Sequence, residues 1–139
     1  MIVLDTNIIS ELANERAAPA FRAWAQSRSR EELFLCTPVI AEIVFGAELF
    51  QLRTGSLKHT ARLGDLIEKQ FSGRILTFGK SAAMLAGKMR AIRERAGRPV
   101  KPMDMAIAGI AAANNAALAT RNVQDFEGLD LKLINPFEA

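Results

Sequence analysis

Five short, largely apolar runs set the frame for this chain. Met1-Ile-Val-Leu4, Leu33–Cys36, Arg74–Thr77, Leu118–Thr120 and Lys132–Ile134 are each three or four residues long, and segments of helical periodicity separate them. Runs this brief and this rich in Ile, Val and Leu read as strands buried on both faces. Strands alternating with helices predict an α/β domain, with a central parallel sheet of four to five short strands covered on both faces.

The helix signals agree with that frame. Thr6-Asn7 caps a helix along Ile8, Ile9 and Leu12, and Pro19 opens a second with Phe21, Trp24 and Ala25 on one face. Thr37-Pro38 opens a third, striped by Ile40, Ile43, Val44, Ala47 and Phe50 until Gly55 interrupts it. Leu57 to Phe71, closed by Gly73, reads as one helix; Ser81 to Arg95 and Pro102 to Asn114 or Asn115 are two more. Polar Ser27–Glu32 reads as a loop. With 139 residues, no internal repeat and no linker, the expectation is a single domain over 1–139.

Composition narrows the chemistry. One cysteine (Cys36) excludes an internal disulfide framework and a Cys-rich zinc site, and one histidine (His59) excludes a His-based metal centre. The chemistry must therefore rest mainly on carboxylates. Cys36, inside an apolar run, reads as a buried small hydrophobe, and His59 as a residue on an exposed helical face. The net charge of +3 is mildly basic and compatible with nucleic acid. No leader pattern opens the chain, and the Ala-rich stretch Met105–Ala119 is too short and too polar to span a bilayer, so a cytoplasmic protein is expected.

Three acids stand where ordinary readings are awkward. Asp5 ends the first strand, at the sheet edge where α/β proteins bind ligands, although a carboxylate there also suits a helix N-cap. Glu42 is the only charge between Glu32 and Glu48, and Asp104 the only one between Lys101 and Arg121. An acid isolated at an apolar helix start either favours the helix macrodipole or lines a cleft. Three unpartnered buried carboxylates would be costly; around a divalent cation they have a role, and an all-oxygen donor set selects Mg²⁺ or Mn²⁺ over zinc. Thr120-Arg-Asn122-Val-Gln-Asp125-Phe126 adds polar groups after the fourth strand, where the alternative is an Asx turn and a helix cap.

Taken in order, Ile2-Val-Leu-Asp5-Thr-Asn7, Thr37-Pro-Val-Ile-Ala-Glu42-Ile, Gly97-Arg-Pro99, Asp104-Met-Ala-Ile-Ala and Thr120 through Asn135-Pro-Phe137 resemble the PIN-domain family. Within it they are similar to the VapC/FitB-like ribonuclease toxins of type II toxin–antitoxin systems, along essentially the whole chain. The resemblance implies a three-layer α/β/α fold and a Mg²⁺- or Mn²⁺-dependent endoribonuclease that cleaves single-stranded or loop RNA. Asp5, Glu42 and Asp104 match the three core acids: Asp5 and Asp104 would bind the ion, and Glu42 would bind it or position and deprotonate the attacking water. The fourth position departs from the pattern: Asn122 stands where many relatives carry Asp, so either Asn122 or nearby Asp125 completes the site. Thr6 and Thr120 match polar helpers that hold the carboxylates or their waters.

The resemblance also implies a homodimer, a groove for a VapB-like antitoxin that pushes a basic residue into the acidic pocket, and a larger hetero-oligomer on operator DNA. Arg90, Arg93, Arg95, Arg98, Lys101 and Arg121 surround the Asp104 motif, and Arg98 and Arg121 are the best placed to meet RNA. Phe45, Leu49 and Phe50 exceed what the third helix needs for one core stripe, so that helix is either buried all round or meets a partner. The competing reading is a catalytically weak PIN-like interaction module. A receiver domain would need paired acids after the first strand, and a haloacid-dehalogenase-type phosphatase would need Asp-x-Asp, whereas position 7 is Asn7.

Overall fold

In the computed structural model, which describes residues 1–138, strand β1 (Ile2–Leu4) is the middle of a sheet and all three of its residues are buried. Strand β2 (Leu33–Cys36) pairs with it on one side and β4 (Ala117–Ala119) on the other; β3 (Ile75–Leu76) and β5 (Leu133–Ile134) form the edges. All four pairings are parallel, with Val3 opposite Phe34 on one side and Leu118 on the other. The order β3-β2-β1-β4-β5 means that the chain steps outward from β1 to β3 and then returns to β1's free side. Right-handed crossovers put the connections before and after that return on opposite faces, which accounts for helices flanking the sheet. The return also creates a switch point between β1 and β4, and the carboxyl ends of strands at such a point form a natural crevice.

The connecting helices are α1 (Thr6–Leu12), α2 (Pro19–Gln26), α3 (Thr37–Thr54), α4 (Lys58–Asp65), α5 (Lys80–Arg95) and α6 (Pro102–Ala113). Helix α6 is apolar all round, buried from Met105 to Ala111, and packs against β1 and β4. Its closest helical neighbour is α5. A methyl group at Gly109 would lie 2.3 Å from the Ala82 carbonyl oxygen and 3.0 Å from the Ala86 Cβ, so the two helices meet where only glycine fits. Gly55 ends α3 with φ +76°, a left-handed conformation that glycine adopts without strain.

Three expectations need correction. The helix expected over Leu57–Phe71 stops at Asp65 and widens into a π-turn over Leu66–Gln70, closed by the Phe71 amide on the Leu66 carbonyl at 3.0 Å. That extra residue in the turn delivers Phe71 to the core. The loop expected over Ser27–Glu32 contains a 3₁₀ turn, Arg30–Glu32, fastened by the Ser29 amide donating to Glu32 Oε2. On α3 the buried residues are Pro38, Val39 and Ala47; Val44 is 37% exposed and Phe45 67%, so this helix is not buried all round. Of the strands, β2 spans the expected residues, β1, β3 and β5 are shorter by one or two, and β4 lies one residue earlier than expected, at Ala117–Ala119 rather than Leu118–Thr120. No helix among the described residues is long and apolar enough to cross a membrane.

Candidate active site

Each of the predicted acids reaches the crevice from a different element. Asp5 follows β1 directly, its amide donating to the Ala119 carbonyl of β4 at 3.2 Å, so its position is fixed by the sheet. Its carboxylate accepts the Ile8 amide at 3.1 Å and so caps α1 as well. The cap expected of Thr6-Asn7 is thus made by Asp5, because α1 already begins at Thr6 and Asp5 stands between it and the end of β1. Burial is the main force raising its pKa; hydrogen bonding from Thr120 and from the Ile8 and Asn7 amides opposes the rise, and the Glu42 charge adds to it.

Glu42 lies in the second turn of α3, half-buried, where its Oε1 accepts the Thr6 hydroxyl at 2.7 Å. That bond joins the start of α1 to α3 and leaves Oε2 without a protein donor among the described residues. Asp104 sits in the first turn of α6, opened by Pro102. Burial again raises its pKa most, followed by the negative charges of Asp125 and Glu42; Lys101 pulls it down, and Asp5 pushes it further up. Thus four carboxylates from four separate elements share one electrostatic environment.

At the fourth position, Asp125 is near enough to Asp104 for its charge to raise that acid's pKa. It belongs to a 3₁₀ turn, Val123–Phe126, anchored by buried Phe126. Asn122 opens that turn: its amide donates to the Thr120 hydroxyl, and its carbonyl accepts the Asp125 amide. Thr120, fully buried, thus holds both the turn and Asp5.

Among the described residues no three Asp, Glu, His or Cys side chains are already gathered closely enough to hold a metal ion. The donor set nevertheless fits one. Carboxylates whose burial and mutual repulsion disfavour their charged forms are stabilised by a counter-ion, and hard oxygen donors suit a divalent cation. Cys36 offers no alternative ligand, since burial pushes its thiol up to about 11.

The basic residues divide sharply. Arg121 is exposed, its guanidinium 4.0 Å from the centre of the Phe137 ring. Arg98 is exposed too, but engaged with Glu127 at 3.6 Å. Arg93, one of the cations singled out around the Asp104 motif, is only 5% exposed; its Nη1 donates to the Glu127 carbonyl at 2.8 Å, tying α5 to the loop after Phe126. His59 also departs from expectation, because it packs edge-on against Phe50 with ring centres 4.4 Å apart.

Sequence reasoning missed two hollows beside the acids, because each is assembled from residues far apart in the chain. The larger, of ≈ 1030 Å³, starts at Thr6 and Glu42 and runs between α1, α3 and α4 past Ile9, Ile43, Phe50 and Arg62. The smaller, of ≈ 580 Å³, lies between the start of α3, α5 and the α6 N-terminus.

Comparison with known proteins agrees with this fold. The PIN domain family model matches residues 2–130. A VapC ribonuclease of Sinorhizobium fredii is 33% identical, with 99% of each chain covered, and the toxin FitB of Neisseria gonorrhoeae is 32% identical, again with 99% of each covered. The structure of FitAB bound to an IR36 DNA fragment superposes with a TM-score of 0.88 at 27% identity, covering 100% of this chain and 97% of the other. The chain belongs to the PIN-domain family, in its group of VapC- and FitB-like toxin ribonucleases.

Proposed function

We propose that this chain is the toxin of a type II toxin–antitoxin pair, acting as a Mg²⁺- or Mn²⁺-dependent endoribonuclease on single-stranded or loop RNA. The observation that supports the reading is that the charges of Asp5, Glu42 and Asp125, carried on separate elements, all bear on the buried Asp104 at the start of α6. Asp5 and Asp104, on the sheet edge and the α6 start, are the residues to hold the cation. When bound, a divalent cation stabilises charge on the scissile phosphate and acidifies a water at neutral pH. Glu42, with Oε1 fixed by Thr6, keeps Oε2 to orient that water and take its proton. Asp125 adds negative charge beside Asp104, and Thr120 holds Asp5 and the Asn122 turn in register. Arg121 meets the backbone phosphates, and Arg98 joins it by exchanging Glu127 for RNA.

Control of the enzyme follows from the larger hollow. An apolar channel that ends at Thr6 and Glu42 suits an amphipathic antitoxin segment carrying a basic residue toward the carboxylates. The FitAB–DNA complex supports the corresponding assembly here, a hetero-oligomer on operator DNA. The outer face of α3, with Phe45 67% and Leu52 82% exposed, is the surface for a homodimer, and the site of action is the cytoplasm.

The test is cleavage of structured RNA by antitoxin-free protein, with Asp104→Asn as control. The proposal expects cleavage that requires added divalent cation and vanishes in the variant. The alternative drawn from Asn122, a non-catalytic interaction module, expects no cleavage even after complete removal of antitoxin.

A further inference from the structure

The geometry points to the smaller hollow as a subsite for one unstacked nucleobase of the RNA, with Phe78 as its stacking face and Arg90 as its phosphate contact. This inference rests on the ribonuclease reading and adds how the strand is held at the acids.

The hollow adjoins the acidic crevice through covalent neighbours. One wall is Pro102 and Met103, and Met103 is the residue before Asp104, so their Cα atoms are about 3.8 Å apart. Another wall is Thr37 and Pro38, which open the helix bearing Glu42. A base seated there belongs to a nucleotide whose own backbone runs beside the carboxylates.

The lining has the chemistry of single-strand recognition. Phe78 stands in the loop between β3 and α5, 43% exposed, and is not left loose: its amide donates to the Thr37 hydroxyl at 3.1 Å. The backbone at Phe78 is thus tied to the helix that carries Glu42, and its partly exposed side chain lines the hollow. Small residues of α5 leave room opposite it, and an added Cβ at Gly87 would meet nothing within 4 Å. Arg90 lines the same hollow, exposed and in no ion pair among the described residues. An open aromatic face, an apolar recess and one free cation accept any base by stacking and its phosphate by charge. A second copy of this chain fits less well. Seated on the same lining, it would bury Arg90 where no acid of the hollow can pair it.

The test uses full-length protein in EDTA, so that no RNA is cut, and a fluorescently labelled single-stranded RNA 12-mer of mixed sequence. An abasic 12-mer of the same length serves as comparison. Phe78→Ala is expected to weaken binding of the base-bearing strand about tenfold and to leave the abasic strand unaffected. Arg90→Gln is expected to weaken both. Phe78→Trp keeps the stacking face, so it should bind like the parent and show tryptophan quenching on RNA addition beyond that of Trp24 alone; this arm stands if the Ala variant fails to fold. Equal binding by Phe78→Ala, or an equal loss for both strands, overturns the subsite. So does light scattering that shows Phe78→Ala breaking a dimer. Divalent-dependent cleavage that persists undiminished in Phe78→Ala would sink the subsite alone, whereas parent protein without Asp104-dependent cleavage would sink the ribonuclease reading itself.

Discussion

Asp5 and Asp104 carry opposite demands. Both have folded-state pKa values above the ordinary 3.8, chiefly because burial penalises their charged forms. The native protein therefore holds these protons more tightly than the unfolded chain does. Stability falls as pH rises from 3.8 through the raised native values, and stays lowered above them. Neutralising Asp104 should thus stabilise the metal-free protein while destroying activity, as expected where function is kept at stability's expense. Asp104→Asn is predicted to raise the melting temperature at pH 7 in EDTA by about 2–5 °C. The difference should shrink at pH 4 and reverse when Mg²⁺ stabilises only the parent; calorimetry under the three conditions checks it. Thr6→Val tests the second tier. With Glu42 Oε1 released, the turnover number should drop about 10–100-fold with little change in KM, as for other residues that orient a catalytic carboxylate. The three acids were legible in the sequence because each is a lone charge in an apolar helix start or strand end. Arg93 and His59 were not, because a charged or polar side chain on a helix gives no sign of which distant loop or ring lies over it.

At the level of elements, the α5–α6 contact holds the helix that bears Asp104. Gly109 lets α6 sit directly on α5, and Asp104 stands in the first turn of the helix so held. Gly109→Ala would drive a methyl group into the Ala82 carbonyl, a backbone atom that cannot swing aside. The predicted cost is about 1–3 kcal/mol by overpacking, read as a lower midpoint in urea with an unchanged slope. Strands and helix starts were readable because their signals are local: short runs of Ile, Val and Leu, or Pro at the first helical turn before Glu42 and Asp104. The break of α4 into a π-turn was not. Leu63, Leu66 and Ile67 keep helical spacing through it, and only the need to bring Phe71 into the core forces the change. Similarly, the stripe expected on α3 ran through Val44, whereas Val39 and Ala47 are the buried positions and Val44 is left partly exposed.

Across the whole molecule, the modest +3 sums two opposed regions. Asp5, Glu42 and Asp125 raise the pKa of Asp104 by their charges, while Arg90, Arg98 and Arg121 are exposed. Such a layout attracts a polyanion to the rim and lets a cation bring its backbone to the centre. The reversal of strand order between β1 and β4 brings Asp5 beside Thr120, since the two follow the ends of adjacent strands there. Five strands alternating with helices were enough to place Asp5 at a ligand-binding edge; convergence of Glu42 and Asp104 on it could be proposed from helix starts, but depended on the sheet order. The measurement that bears most directly on the account is RNA cleavage by purified, antitoxin-free protein and its Asp5→Asn variant, with and without Mg²⁺. The account predicts cutting only by the parent and only with the cation, while circular dichroism shows both folded. Equal cleavage by a folded Asp5→Asn protein would contradict it.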